Sequence, residues 1–211
     1  MVSVKVYGDP IATCTQRILI LLEELSLKYD FALVDLMKGD QKNEEFLKLQ
    51  PFGKVPVLEY DNRVLFESRS VLRYVSKNNQ EIQDLLGDVD VDIWLEVESQ
   101  NFNPPASKIV YEKVFKKWHG QEPDEQIIEK SLKELETVLD VYEHRLSTNA
   151  FIGGESFSIA DISHIPYANH LIKAGYKSIF KSRPNVYKWI KKIIKRDSVD
   201  YVMSLVKSVD V

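Results

Sequence analysis

LQPFGKVPVLEYDNRVLFESR, residues 49–69, carries a β-hairpin and the start of a helix. Val55 to Tyr60 and Val64 to Phe66 read as strands, and Asp61-Asn62 between them is a hairpin turn signal. Glu67 to Lys77 then reads as a helix, with Val71, Leu72 and Val75 on one side. Upstream, Ser3 to Tyr7 has strand character and is closed by Gly8-Asp9-Pro10. Thr13 to Leu27 follows with Ile18, Leu21, Leu22 and Leu25 at helical spacing. Phe31 to Leu36 alternates as a second strand, and Asn43 to Leu49 is a short helix ended by Pro51. The predicted order is therefore βαβαββα, a small α/β domain over residues 1–80.

Downstream of about Gln83 the strand signals vanish. Val89 to Trp118, Glu125 to Leu146, Ile159 to Ala174, Asn185 to Lys195 and Val199 to Val206 are helical by periodicity. Pro104-Pro105 should bend or interrupt the first of these. An all-helical domain over residues 88–211 is expected, joined to the first by a polar linker at 81–87. Of the 211 residues, 44% are apolar and 28% charged, enough to build a core without disulfides or metals. A formal charge of -4 argues against a nucleic-acid or acidic-membrane binder. One cysteine excludes a disulfide framework, and the longest apolar run, Ile18 to Leu22, cannot cross a bilayer. A reducing, cytoplasmic compartment is expected.

Three loops of the first domain carry chemistry. Gly8 to Thr15 leads from a strand into a helix N-terminus, where free N–H groups and the helix dipole favour an anion. Pro56 opens a strand. In the trans form it is ordinary edge chemistry, whereas in the cis form it would expose the preceding backbone for pairing with a peptide-like ligand. At Phe66-Glu67-Ser68-Arg69, Ser68 is placed to cap a helix, to take up a ligand carboxylate, or both, with Glu67 beside it for an ammonium group.

Taken in order, Val6-Tyr7-Gly8, Thr13 to Leu19, Val34-Asp35-Leu36, Gly39 to Lys42, Leu49 to Pro56 and Leu65 to Arg69 form a series that closely resembles phi-class glutathione transferases. Arg145 to Asp161 is similar to that family's C-domain signature, and Ser158 with Asp161 makes an S-x-x-D capping box. The resemblance covers nearly the whole chain. It implies a thioredoxin-like domain followed by a helical bundle, and a glutathione site in the first domain. By motif match, Lys42 and Lys54 would hold the glycyl carboxylate. Val55, before a cis-Pro56, would pair with the cysteinyl backbone, and Glu67 and Ser68 would bind the γ-glutamyl end. Phe52 would insert into a partner subunit, making a homodimer. Family members usually carry His where Gln41 stands and Gln where Lys54 stands, both tolerable changes for carboxylate binding.

The weightier departure is Ala12. Five residues before Arg17, active family members place a serine whose hydroxyl stabilises the glutathione thiolate, and thiol-transferase relatives a cysteine. A hydrogen bond to an ionised partner contributes about 1.5–3 kcal/mol, so its loss would raise the bound thiol's pKa by about 1–2. The helix N-terminus still favours the thiolate, by up to ~2 kcal/mol. Thr13 is a candidate substitute hydroxyl, with helix capping as its simpler role. Cys14 lies two residues beyond the thiol-transferase position and is expected to be buried and inert. Alanine here is also similar to the phi-class subgroup that carries anthocyanins or other flavonoids.

The resemblance implies an apolar pocket between the domains for the electrophile. Tyr111, Phe115 and Trp118 fall at i, i+4 and i+7 on the first long helix, with Ile11, Leu36 and Phe102 as further candidates; ordinary helix packing is the plainer reading of such a stripe. Such a pocket suits a flat, apolar ligand. No metal site is expected. Asp88, Asp90 and Asp92 start like a calcium loop, but Ile93 and Ser99 replace its glycine and closing glutamate, and the four histidines lack ligand spacing. Glutathione conjugation of apolar electrophiles is the favoured function, with a low-turnover ligand carrier as the alternative. A third class, a transferase-like interaction module, has no need of Lys42, Lys54, Glu67 and Ser68 together.

Overall fold

The computed structural model describes residues 3–78, 89–118 and 120–208. The expected linker at 81–87, Asp88 and His119 lie outside the described residues. The chain divides into two units.

In the first unit, β1 (Val4–Gly8) leads to α1 (Thr13–Glu24) and β2 (Asp30–Leu33). A single 3-10 turn (Asp40–Lys42), α2 (Glu44–Leu49), β3 (Val57–Tyr60), β4 (Arg63–Leu65) and α3 (Ser68–Asn78) follow. The sheet order is β2-β1-β3-β4, with β1 parallel to β2 and antiparallel to β3, and β3 antiparallel to β4. Ile18 to Leu22 of α1, Val71, Leu72 and Val75 of α3, and Val4, Val6, Val57 and Leu58 of the sheet make the core. The hairpin turn places Asp61 and Asn62 both at positive φ (47° and 65°), with Tyr60 opposite Arg63.

Several element boundaries differ from expectation, three of them at the loops that carry chemistry. β2 stops at Leu33 because the next segment is a side-chain-built turn. Asp35 Oδ1 accepts from Met37 N and Lys38 N, and Asp40 Oδ2 accepts from Asp35 N. β3 starts at Val57, directly after Pro56, which has no N–H to give to a ladder. β4 ends at Leu65, ahead of Glu67, whose φ of 66° is left-handed.

The second unit opens with one long helical run: α4 (Val89–Val97), a π-helical turn (Glu98–Phe102), α5 (Asn103–Val110), a second π turn (Tyr111–Phe115) and α6 (Lys116–Trp118). Pro104 and Pro105 sit in the first turn of α5, where their missing N–H groups matter least, and the expected interruption takes the form of the π turn before them. α7 (Glu125–Arg145), α8 (Ile159–Lys173), α9 (Lys177–Lys181) and α10 (Pro184–Ile193) complete the bundle. Its centre is aromatic. Tyr142 lies 6.1 Å from Phe102, 5.4 Å from His164 and 6.0 Å from Trp189, ring centre to ring centre. The predicted capping box is present. Asp161 accepts from Ser158 N (2.9 Å), and also from Ile152 N (3.1 Å) and Trp189 Nε1 (2.7 Å).

α11 (Asp197–Ser208) is the last described helix. It groups with the first unit, packing on α1 through buried Val199, Val202 and Met203, while Ser198 Oγ donates to Glu24. The apolar face of a short amphipathic helix needs a partner surface, and here α1 supplies it.

His170, on α8, is 7% exposed, and its Nε2 has no hydrogen-bond partner among the described residues. Burial, and secondarily Lys173, lowers its pKa from 6.5 to about 4. The folded protein therefore binds fewer protons at this residue than the unfolded chain does. Stability should fall as pH drops through the window from 6.5 to about 4, by up to about 3 kcal/mol from this residue. Urea unfolding of the native protein and His170→Leu across that window measures this; the substitution should flatten the decline.

Candidate active site

The sheet register brings the chemistry-bearing loops to one edge. Tyr7 lies opposite Val57, so the end of β1 sits beside the start of β3. Leu58 lies opposite Leu65, so the end of β4 sits there too, and Gly8 pairs with Leu33 at the end of β2. The loops before α1, after β2, before β3 and before α3 therefore all leave from the same end of the sheet.

The β1–α1 loop is tightly built. A Cβ on Gly8 would come within 2.7 Å of Thr15 Cγ2, so glycine is what lets α1 start this close to the strand. Ala12 occupies the N-cap with φ -77° and ψ 124°, and its side chain caps nothing. The first intrahelical bond is Gln16 N to Ala12 O, so the amides of Thr13, Cys14 and Thr15 precede it and form an anion-favouring helix start. Thr13 is the first helical residue and 5% exposed, so it does not hold the capping role expected as its simpler function. Cys14 is half-buried rather than sealed in the core, and Arg17 Nη1 lies 3.4 Å from its Sγ.

Around the cis Val55–Pro56 bond, the chain is held by a residue that sequence reasoning overlooked. Gln50 is buried; its Oε1 accepts from Phe52 N (2.7 Å) and Lys54 N (3.4 Å), and its carbonyl accepts from Gly53 N (2.9 Å). Lys42 Nζ donates to Phe52 O (3.0 Å). Gly53 has φ 58°, and a Cβ there would meet Gln41 O at 2.6 Å, so the loop closes onto the 3-10 turn only with glycine. The outcome is a rigid loop that exposes Lys54 and leaves Phe52 66% exposed. Lys42 is exposed beside it, Val55 half-buried and Pro56 buried. Gln41 keeps a buried Oε1 without a partner among the described residues.

At the third loop the expected cap shifts by one residue. Ser68 is already helical and buried, and it is the Glu67 carbonyl that accepts from Val71 N (3.0 Å). Glu67 thus stands at the N-cap in a left-handed conformation, which costs a non-glycine residue about 1–2 kcal/mol. Such strain is held by its surroundings and concentrates at functional sites. Nothing in the local sequence signalled it, because glutamate is an ordinary residue for a helix start.

The aromatic candidates of the helical unit divide. Tyr111 and Phe115 line a cavity of about 570 Å³ together with Ile127 and Tyr167. Trp118 packs on Phe115, centroids 5.1 Å apart. Phe102 is fully buried, 4.8 Å from the His164 ring, and belongs to the bundle core rather than to a ligand wall. Nine residues before Tyr111 and joined to it by regular helix, Phe102 faces the opposite side from the Tyr111 stripe. In the first unit, Ile11 is buried and Leu36 half-buried, both with backbone amides held by Asp9. Among the described residues no cluster of His, Cys, Asp or Glu could hold a metal.

Comparison with known proteins gives one family throughout. The glutathione S-transferase N-terminal domain model matches residues 12–78, and the C-terminal domain model matches residues 102–197. Glutathione S-transferase F7 of Arabidopsis thaliana is 36% identical over 96% of this chain and 100% of its own length. Among solved structures, glutathione transferase F2 from Populus trichocarpa superposes with a TM-score of 0.93 at 36% identity, covering 97% of this chain and 99% of that one. Maize glutathione S-transferase I, in complex with an atrazine glutathione conjugate, superposes with a TM-score of 0.90 at 29% identity, over 99% of this chain and 100% of that one. A mixed sheet with its loops gathered at one end, a helical bundle behind it in sequence, and relatives matched from end to end make this chain a member of the glutathione transferase family of enzymes, in its phi class.

Proposed function

We propose that the protein adds the thiolate of glutathione to apolar, planar electrophiles, with thiolate activation weakened by Ala12. The observation that carries this reading is the gathering of four kinds of recognition group at one sheet edge. Lys42 and Lys54 offer two exposed cations for the glycyl carboxylate, and the backbone of Val55 beside cis-Pro56 offers a strand-like pairing surface. Glu67 with Ser68 at the start of α3 meets the amino and carboxylate groups of the γ-glutamyl end. The free amides at the start of α1 face the thiol's position at Ala12. The thiol proton passes to solvent, and the thiolate is held by backbone donors and the helix dipole. Its attack on an electrophilic carbon forms the C–S bond while the bond to a leaving group such as chloride breaks, or, in a conjugated acceptor, while the C=C π bond opens and the neighbouring carbon takes a proton from water. The aromatic cavity at Tyr111 and Phe115 suits the flat acceptor.

Two features support a second reading as a ligand carrier of low turnover: the missing hydroxyl at Ala12 and the aromatic character of that cavity. The exposed, rigidly mounted Phe52 supports a homodimer in which this ring enters the partner. Among the described residues no helix is long and apolar enough to cross a membrane; a cytoplasmic location is the reading that goes with the single cysteine.

Titration calorimetry with glutathione, paired with conjugation of chlorodinitrobenzene, tests the proposal. Binding with turnover supports the enzyme, and binding with negligible turnover supports the carrier. No binding removes both. Lys54→Ala should weaken glutathione binding about threefold to tenfold, as expected for an exposed charge pair of about 1 kcal/mol.

A further inference from the structure

From residue 162 to residue 196 the chain carries nine lysines and arginines and no aspartate or glutamate, although its formal charge as a whole is -4. Most of these cations lie on α9, α10 and the turn after α10, within the second unit. Three of them rest on aromatic faces. Lys192 Nζ is 3.7 Å from the centre of the Phe151 ring, Lys191 Nζ 4.9 Å from that of Tyr187, and the Arg196 guanidinium 3.9 Å from that of Phe157. A ring face positions a cation without cancelling its charge. Two acids of α7 reach the start of α10 and are spent there: Glu143 accepts from Asn185 N and Val186 N, and Asp140 pairs with Arg183. Further along α10, Lys188 and Lys192 are exposed, one helical turn apart, and line a cavity of about 310 Å³ against the turn that follows α7. Neither lysine makes an ion pair among the described residues, and no acid lines the cavity.

Ser147, Thr148 and Asn149 form the wall facing these lysines. Their hydrogens are used inside the fold: Ser147 Oγ donates to His144 O (2.6 Å), and Thr148 Oγ1 (3.4 Å) and Asn149 Nδ2 (2.9 Å) donate to Arg145 O. These bonds cap the last carbonyls of α7, whose negative dipole end would otherwise repel an anion. What the three side chains still offer a ligand is oxygen lone pairs. The cavity therefore has two ammonium groups on one side and hydrogen-bond acceptors on the other. We propose that it binds a phosphate monoester of a sugar or polyol, a role outside glutathione conjugation. The phosphate, at about -1.5 to -2 near neutral pH, bridges Lys188 and Lys192, and the ligand's hydroxyls donate to the oxygens of Ser147, Thr148 and Asn149. A dianion there also relieves the mutual repulsion of lysines set at helical spacing. The volume is at the small end for ligand sites and suits a single ring better than a fused aromatic acceptor.

Calorimetry with glucose 6-phosphate, inorganic phosphate and glucose at physiological ionic strength tests this. Cosedimentation with phosphatidylcholine vesicles containing phosphatidylinositol 4-phosphate is run alongside, because a lipid headgroup presents the same ester. Lys188→Gln with Lys192→Gln removes both cavity cations. Lys191→Gln with Lys195→Gln removes the same charge from the same stretch of chain but outside the cavity. The expected result is saturable binding of one sugar phosphate per chain, weakened about tenfold or more by the first pair and less than about twofold by the second, with glucose left unbound. Retention on the inositide vesicles with that same variant pattern, and no free sugar phosphate bound, supports the proposal and makes a lipid headgroup the source of the ester. Equal weakening by both pairs overturns it, because general charge then suffices. Inorganic phosphate bound as tightly as the ester overturns it too, as does binding of neither the sugar phosphate nor the vesicles. All four lysines are exposed, and thermal unfolding verifies that both variant pairs stay folded.

Discussion

Replacing Ala12 by serine is expected to raise the rate of chlorodinitrobenzene conjugation by about tenfold or more, the yield of one hydrogen bond to a charged partner. The backbone is ready for it. Ala12 sits at φ -77° and ψ 124°, the extended conformation an N-cap serine prefers, at a half-buried position with no side-chain bond to displace. Two outcomes compete for the new hydroxyl. Donated to the thiolate, it lowers the thiol pKa by about 1–2 and moves the rise of kcat/KM to correspondingly lower pH. Turned inward, it accepts from an amide of the first helical turn and stabilises the fold by about 1 kcal/mol without accelerating anything. Rate–pH profiles and thermal unfolding of the native protein and Ala12→Ser separate the two. An active native protein to which serine adds little would show that the backbone amides of α1 already suffice.

Asp161→Ala should lower stability by roughly 4 kcal/mol or more, a fall of about 10 °C in Tm for a chain of this size. The loss is large because the carboxylate is fully buried and serves three separate pieces of structure. Ile152 N belongs to the turn before α8, Ser158 N and Oγ to the helix cap, and Trp189 Nε1 to α10. Burial pushes the carboxyl above its usual range, while the four donors pull it back toward the ionised form. Removing the acceptor strands two amides and an indole N–H away from water, each at about 1–3 kcal/mol. Asp161→Asn keeps one acceptor oxygen and should fall between the native protein and alanine when urea midpoints are compared.

Much of the molecule was legible in the sequence because its signals are local. Alternation at residues 3–7, the turn pair Asp61-Asn62 and the capping box at Ser158 each depend on neighbours a few residues apart. What escaped depends on partners far along the chain or on conformations that residue types do not announce. The return of α11 to α1 needs the tertiary surface of α1. The left-handed Glu67 moved the cap off Ser68, a conformation that glutamate does not announce. Of the site, motif matching singled out the residues that would face a ligand. It passed over the polar residues behind them, Asp9, Gln16 and Gln50, which meet only protein and follow no spacing of their own.

The docking of α11 on α1 sets a timetable for synthesis. Ser198 and Glu24 meet across 174 residues, and a ribosome adding roughly 5–20 residues per second needs about 10–35 s to span them. Through that interval the first unit has its sheet and its inner helices but lacks the helix that covers part of α1. It therefore emerges as an unfinished body, whose last piece is delivered only after the entire helical bundle has been translated. A domain that is first in sequence is in this protein among the last to be completed, because the helix that covers it follows the helical bundle in sequence.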